Sequence, residues 1–263
     1  MPDGIRDRLA AIGRPVYCIA YSARSGSTLL CEDLMANGLG HPTEYFQTLD
    51  APMLQGNVAD NLVQLVQDAT GGCFAFKAAW AHASHLVQRL REQGESDVGS
   101  DLRSIFPDIR FIHLVRHDKL AQAVSGWRAE ATGHWHRTPL SRQQQPRPRV
   151  DFYQLSRYLT QFLTEDWLWQ SYFEERGIPY LQVVYEAYVA DRVGTLQDIG
   201  AFLDRTLPAP VLSDTLQPMR DAYSDEVVER FRARLEQPPF WEVERPWEQF
   251  IRRLGRRAPS TLE

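Results

Sequence analysis

The segment Val16-Tyr17-Cys18-Ile19-Ala20-Tyr21-Ser22-Ala23-Arg24-Ser25-Gly26-Ser27-Thr28-Leu29-Leu30 constrains the fold of this chain more than any other. Its first six residues form an apolar run of strand length, Val16–Tyr21. A tight polar turn holding Arg24 and Gly26 stops that run, and a helix-like pattern starts at Ser27. A strand entering a helix through such a turn leaves several backbone N–H groups converging beside the positive end of the helix. That geometry binds phosphate or sulfate without any special side chain. Arg24 adds a cation, and Ser25, Ser27 and Thr28 add hydroxyl donors. The segment therefore reads as an anion site at the carboxyl end of a first strand.

The turn is similar to a P-loop and departs from it in two places. A Walker A motif needs glycine five residues before its second glycine and lysine directly after it. With Gly26 as the second glycine, the first position falls on Tyr21, and Ser27 follows where lysine belongs. The cation has moved into the loop as Arg24. Such a site suits a phosphate-like group better than a metal–nucleoside triphosphate.

Further along, the pattern repeats. Helices are expected over Ser27 to about Asn37, about Asn57–Ala69, Ala81–Gln93 and Lys119 to about Thr132. Further helices are expected over about Phe152–Arg176 and near Val193–Leu203 and Ser224–Leu235. Strands are expected at Cys73–Ala78, Arg110–Val115 and Tyr180–Val184. His41–Phe46 reads as an ordered loop with aromatic anchors, and Arg137–Arg149 as a surface segment, solvated or able to close over substrate. Alternating strands and helices predict an α/β fold with a parallel central sheet and helices on both faces. At 263 residues, one domain spanning 1–263 accommodates the whole pattern.

Composition narrows the function. A net charge of −5 supplies no basic stripe for nucleic acid. No apolar stretch approaches the ~20 residues of a bilayer-spanning helix. Met1–Arg14 has no apolar signal-peptide core, so a cytoplasmic enzyme is expected. Cys18, Cys31 and Cys73 are odd in number and lack C-x-x-C spacing, as buried thiols of a reducing compartment would. Of 29 basic residues only Lys77 and Lys119 are lysine. Arginine is the default cation here, so each lysine merits inspection. His82 with His85, and His134 with His136, have no carboxylate or cysteine at metal-site spacing, and no metal is expected.

Ligands of open α/β sheets lie at the carboxyl ends of the strands. Arg116 follows the strand Arg110–Val115 directly, and Ser125 lies on the next helix. Together they read as a second anion site, a guanidinium clamp with a supplementary hydroxyl. The competing readings are an ion pair of Arg116 with Asp118 or Glu130, and Ser125 as a small packing residue. Two anion sites on one sheet edge suit a nucleotide with phosphates at both ends of its ribose.

With these motifs the chain resembles bacterial sulfotransferases of the trehalose 2-sulfotransferase type. These use 3′-phosphoadenosine 5′-phosphosulfate (PAPS) and have a P-loop-like sulfotransferase fold. The matching stretches are Ser22–Leu30, Pro42-Thr43-Glu44-Tyr45-Phe46 and Ala121-Gln122-Ala123-Val124-Ser125-Gly126-Trp127-Arg128-Ala129 continuing to Trp135. Lys77-Ala78-Ala79-Trp80 and Ser224-Asp225-Glu226 match more weakly, and the likeness spans about 15–235. The resemblance implies that Ser22, Ala23, Arg24, Ser25, Gly26, Ser27 and Thr28 cradle the 5′-phosphosulfate. It places the 3′-phosphate on Arg116 and Ser125 and matches Glu44 to the family's catalytic glutamate. A carboxylate there suits the chemistry, because a hydroxyl is a poor nucleophile until a base takes its proton. Arg24 would stabilise charge on the leaving phosphate. Without the resemblance, Glu44 reads as an ordinary loop carboxylate.

Lys77, Trp80, Trp127 and Trp135 are candidates to line an acceptor pocket, although the same tryptophans suit a core. The segment between Glu44 and Lys77 is shorter than in the trehalose enzymes, where that region helps shape the acceptor site and the dimer. The expected acceptor is a sugar or other small-molecule hydroxyl, and a homodimer is possible. Two other classes fit the loop: a nucleotide-dependent kinase, and a non-catalytic nucleotide-binding protein.

Overall fold

The computed structural model describes residues 4–135, 146–215 and 220–236. His136 and most of the expected Arg137–Arg149 segment lie outside them. The chain begins with α1 (Ile5–Ile12), β1 (Val16–Tyr21) and α2 (Ser27–Ala36). A 3₁₀ turn (Pro52–Leu54), α3 (Val58–Asp68), β2 (Phe74–Ala78), α4 (Trp80–Glu92) and the short α5 (Leu102–Ile105) follow. Then come β3 (Arg110–Val115), α6 (Lys119–Thr132), α7 (Phe152–Glu175) and β4 (Tyr180–Val184). The short α8 (Tyr185–Ala190), α9 (Arg192–Phe202) and α10 (Ala222–Glu236) complete the described chain. Side chains one residue ahead of the helices stop the backbone fraying: Asn57, Asp118, Asp151 and Asp191 accept from first-turn N–H groups of α3, α6, α7 and α9.

The four strands are all parallel, in the order β2-β1-β3-β4. Burial on both faces explains why β1 and β3 are almost continuously apolar. Alternate residues sort cleanly. Cys18, Ala20, Phe74, Phe76 and Phe111 join one core with residues of α1, α3, α4 and α7. Tyr17, Ile19, Tyr21, Ile112 and Leu114 join the opposite core with residues of α2, α8 and α9. The parallel sheet with helices on both faces is thus the architecture of the protein. Thr43 pairs with Phe76, and the Lys77 N–H donates to the Thr43 carbonyl at 3.0 Å, so the 41–46 segment covers the outer edge of β2. That contact carries Glu44 to the carboxyl end of the sheet.

A third apolar cluster lies among α6, α7 and α10, with Val124, Trp127, Leu155, Val227 and Phe231 at its centre. It fixes α6 from behind. Beneath the sheet, His113 is 2% exposed and stands beside the rings of Phe173 and Tyr180, at 5.6 and 5.9 Å. Burial lowers its pKa from the usual 6.5 to about 4. Between those two values an unfolded chain holds a proton on this ring that the folded chain refuses, so stability falls as pH drops from about 6.5 toward 4. Denaturant titrations of the His113→Phe variant across that range should show a shallower decline than the unsubstituted protein. An identical slope would mean that the folded protein takes up this proton normally.

Candidate active site

The anion loop is built by the junction of β1 with α2. Gly26 has φ +90°, and a Cβ there would come within 2.3 Å of the Tyr185 ring, so both backbone and space require glycine. Arg24 also has positive φ, +64°, an uncommon state for a residue with a side chain. Ser22, Ser25 and Ser27 are buried, and the Ser25 hydroxyl has no hydrogen-bond partner among the described residues. A buried hydroxyl left this way is costly, and a bound oxyanion would satisfy it.

The two expected anion sites converge. Arg24 Nε donates to Ser125 Oγ at 3.0 Å, and Arg24 Nη1 donates to the Trp135 carbonyl at 2.6 Å. Arg116 Nη1 donates to the Arg24 carbonyl at 3.2 Å. Burial, then the neighbouring Arg116 charge, lowers the Arg24 pKa to about 10, and burial also lowers that of Arg116. Two confined guanidinium groups, one of them bonded to the backbone of the other's residue, form a positive centre that suits a multiply charged anion.

The carboxylate partner of Arg116 is neither Asp118 nor Glu130. Glu186 lies 3.9 Å from Arg116 Nε and accepts the His117 and Asp118 N–H groups at 3.0 Å each. Asp118 caps α6 and pairs with Arg220, and Glu130 accepts from the Tyr158 hydroxyl at 2.7 Å. Nor is Ser125 merely a packing residue, since it accepts from Arg24. The Arg116 guanidinium also stacks 5.0 Å over the Tyr185 ring, which closes the floor of the site beside Gly26.

Glu44 stands on the β2 side of this centre, its side chain 29% exposed. Its Oε1 accepts from the Tyr21 hydroxyl, and its Oε2 lies 3.8 Å from Lys77 Nζ. Lys77, itself buried, also approaches Thr28 Oγ1 at 3.4 Å and stacks over the Tyr21 ring. One of the two lysines therefore links the first turn of α2 to Glu44. A hydroxyl compound reaching Oε2 would meet a carboxylate on one side and the strand–turn–helix loop on the other.

The aromatic candidates separate. Trp135 is 45% exposed and lies 5.9 Å from the Arg24 guanidinium. Trp127 is 3% exposed in the α6–α7–α10 core, where its ring is spent on packing. Trp80 is half-buried, edge-on to Trp169 at 5.1 Å. His82 Nδ1 accepts the Ala79 N–H at 3.3 Å, and His85 Nδ1 lies 3.1 Å from the Phe46 carbonyl. Both rings thus serve local backbone groups. Among the described residues, no cluster of three or more ligating side chains could hold a metal. No helix among them is long and apolar enough to cross a membrane.

Together the parallel sheet, the strand–turn–helix loop and the basic centre define an α/β protein with a P-loop-like anion site. The chain belongs to the Stf0 sulphotransferase family, which it matches over residues 16–83 and 57–234. It is 28% identical over 256 residues to a trehalose 2-sulfotransferase of Mycolicibacterium smegmatis, covering 82% of this chain and 94% of that protein. A trehalose 2-sulfotransferase of Mycobacterium tuberculosis is 27% identical over 267 residues, with the same coverage. Among solved structures, a sulfotransferase from Alicyclobacillus acidocaldarius superposes with a TM-score of 0.46 at 15% identity, covering 85% of this chain and 94% of that one.

Proposed function

We propose that this sulphotransferase moves a sulfuryl group from PAPS to a hydroxyl of a sugar or sugar-bearing metabolite. The observation that carries the donor assignment is the contact between Arg24, Arg116 and Ser125 beside the unpartnered Ser25 hydroxyl. A donor with separate 5′ and 3′ charged groups fits such a divided yet connected basic centre. The sugar acceptor rests on likeness to the trehalose 2-sulfotransferases.

PAPS supplies a sulfuryl group joined to phosphate through an anhydride oxygen. In this reading the 22–28 loop holds the 5′-phosphosulfate, and Arg116 with Ser125 holds the 3′-phosphate. Glu44 Oε2 takes the proton of the acceptor hydroxyl as its oxygen attacks sulfur in line. Arg24 and the loop N–H groups stabilise the negative charge that returns to the leaving phosphate. Lys77, between Thr28 and Glu44, faces the path between the two reactants and helps seat the acceptor, with Trp135 and Trp80 as further candidate walls.

Arg116→Ala tests the donor assignment. It should weaken adenosine 3′,5′-bisphosphate by about 1.5–3 kcal/mol, the usual worth of a hydrogen bond to a charged group. Affinity for adenosine 5′-phosphosulfate, which lacks the 3′-phosphate, should fall distinctly less in the same titrations, through the lost grip on the Arg24 carbonyl alone. Equal losses for both nucleotides would remove Arg116 from the 3′-phosphate site.

A further inference from the structure

The loop is gripped from behind by a side chain to which the donor reading gives no role. Gln122 on α6 is fully buried. Its Nε2 donates to Ser22 Oγ at 2.9 Å and to the Ala23 carbonyl at 2.7 Å. Its Oε1 accepts from Lys119 Nζ at 2.8 Å, and Lys119 pairs with Asp166 on α7. Lysine can only donate, so the amide has one orientation: oxygen toward Lys119, nitrogen toward the loop. A chain of polar contacts thus runs from α7 through both side chains of α6 to the loop backbone.

We infer that Gln122 is a positioning residue that sets the anion loop for the 5′ end of the donor. This rests on the donor reading above. In a planar trans peptide the C=O and N–H point in opposite directions. Holding the Ala23 carbonyl toward α6 therefore turns the Arg24 N–H away from it, and Arg116 does the same for the Ser25 N–H through the Arg24 carbonyl. Arg24 is held at positive φ just where these two grips act. Gln122 and Ser125 are three residues apart and share one face of α6, so a single helix face fixes both the loop backbone and the Arg24 side chain. Glutamine suits the post because a carboxylate would set its oxygens against the Ala23 carbonyl. It would also add negative charge behind an anion site.

The test is calorimetry of Gln122→Leu and Lys119→Met with two ligands, adenosine 3′,5′-bisphosphate and adenosine 3′-monophosphate. Losing the grip should weaken the bisphosphate roughly tenfold, on the scale of one or two hydrogen bonds. The 3′-monophosphate, which does not reach the loop, should bind as before. Lys119→Met keeps Gln122 in place while freeing its amide, so it carries the same expectation if the leucine variant fails to fold. Equal losses for both ligands would reduce Gln122 to a general structural role, and unchanged bisphosphate affinity in a folded variant would remove any role. Failure of the donor reading would show instead in the unsubstituted protein, as no preference for the bisphosphate over ADP.

Discussion

Glu44→Gln is expected to lower turnover by about 10²–10⁴-fold, the usual contribution of a positioned general base. Glutamine keeps the volume and can still accept from the Tyr21 hydroxyl, so the 41–46 segment should stay on the edge of β2. What disappears is the ability of the second oxygen, 3.8 Å from Lys77, to take a proton. The loss should therefore fall mainly on turnover, with affinity for adenosine 3′,5′-bisphosphate nearly unchanged, because the variant keeps Lys77 beside Thr28 and leaves the Arg116 bond to the loop intact. Steady-state rates beside a nucleotide titration would show this split. Near-normal turnover with intact binding would return Glu44 to a structural role.

The second large effect is on stability. Arg128 on α6 is buried, with its side chain only 4% exposed, and Asp221 at the start of α10 holds it at 2.6 and 2.9 Å. Ser224 adds a third bond at 2.8 Å. Removing the carboxylate leaves a buried cation without its counter-charge, which costs about 3–5 kcal/mol for fully buried pairs. Asp221 is 35% exposed, so Asp221→Ala should fall near the lower end, about 3 kcal/mol. Arg128→Met, which removes the charge and keeps the volume, should be milder. The hydrogen bond from Arg128 pulls the Asp221 pKa from 3.8 to about 2. This contribution is therefore complete above about pH 4 and is lost as pH falls toward 2. Chemical denaturation of both variants at neutral pH and at pH 3 would test it. If Asp221→Ala proved as stable as the unsubstituted protein, α10 would not be buttressing the helix that carries Gln122 and Ser125.

Val16–Tyr21 and Arg110–Val115 were legible because each is a short apolar run closed by a turn, and Tyr180–Val184 because Gly177 and Pro179 open it; all three match residue for residue. α8 was not legible. Tyr185–Ala190 continues the apolar and aromatic run of β4 without a polar turn, so periodicity offers no boundary. That omission hid Tyr185 and Glu186, which cover Gly26 and pair with Arg116. Tyr21 looked like the last core residue of a strand, and nothing local announces that its hydroxyl meets a carboxylate 23 residues on. Gln122 did leave a trace, a polar residue among Ala121, Ala123 and Val124, but only the packing says that its partners are loop groups. For the tryptophans, residue type alone could not separate Trp127 in the core from Trp135 at the surface.

The central claim is that the basic centre recognises a 3′-phosphorylated nucleotide. Calorimetric titration of the unsubstituted protein with adenosine 3′,5′-bisphosphate and with ADP, both without magnesium, tests it directly. A strong preference for the bisphosphate is predicted, because only that ligand places a phosphate on Arg116 and Ser125. Preference for ADP, or binding of neither, would contradict the donor assignment; magnesium-dependent ADP binding would favour a kinase.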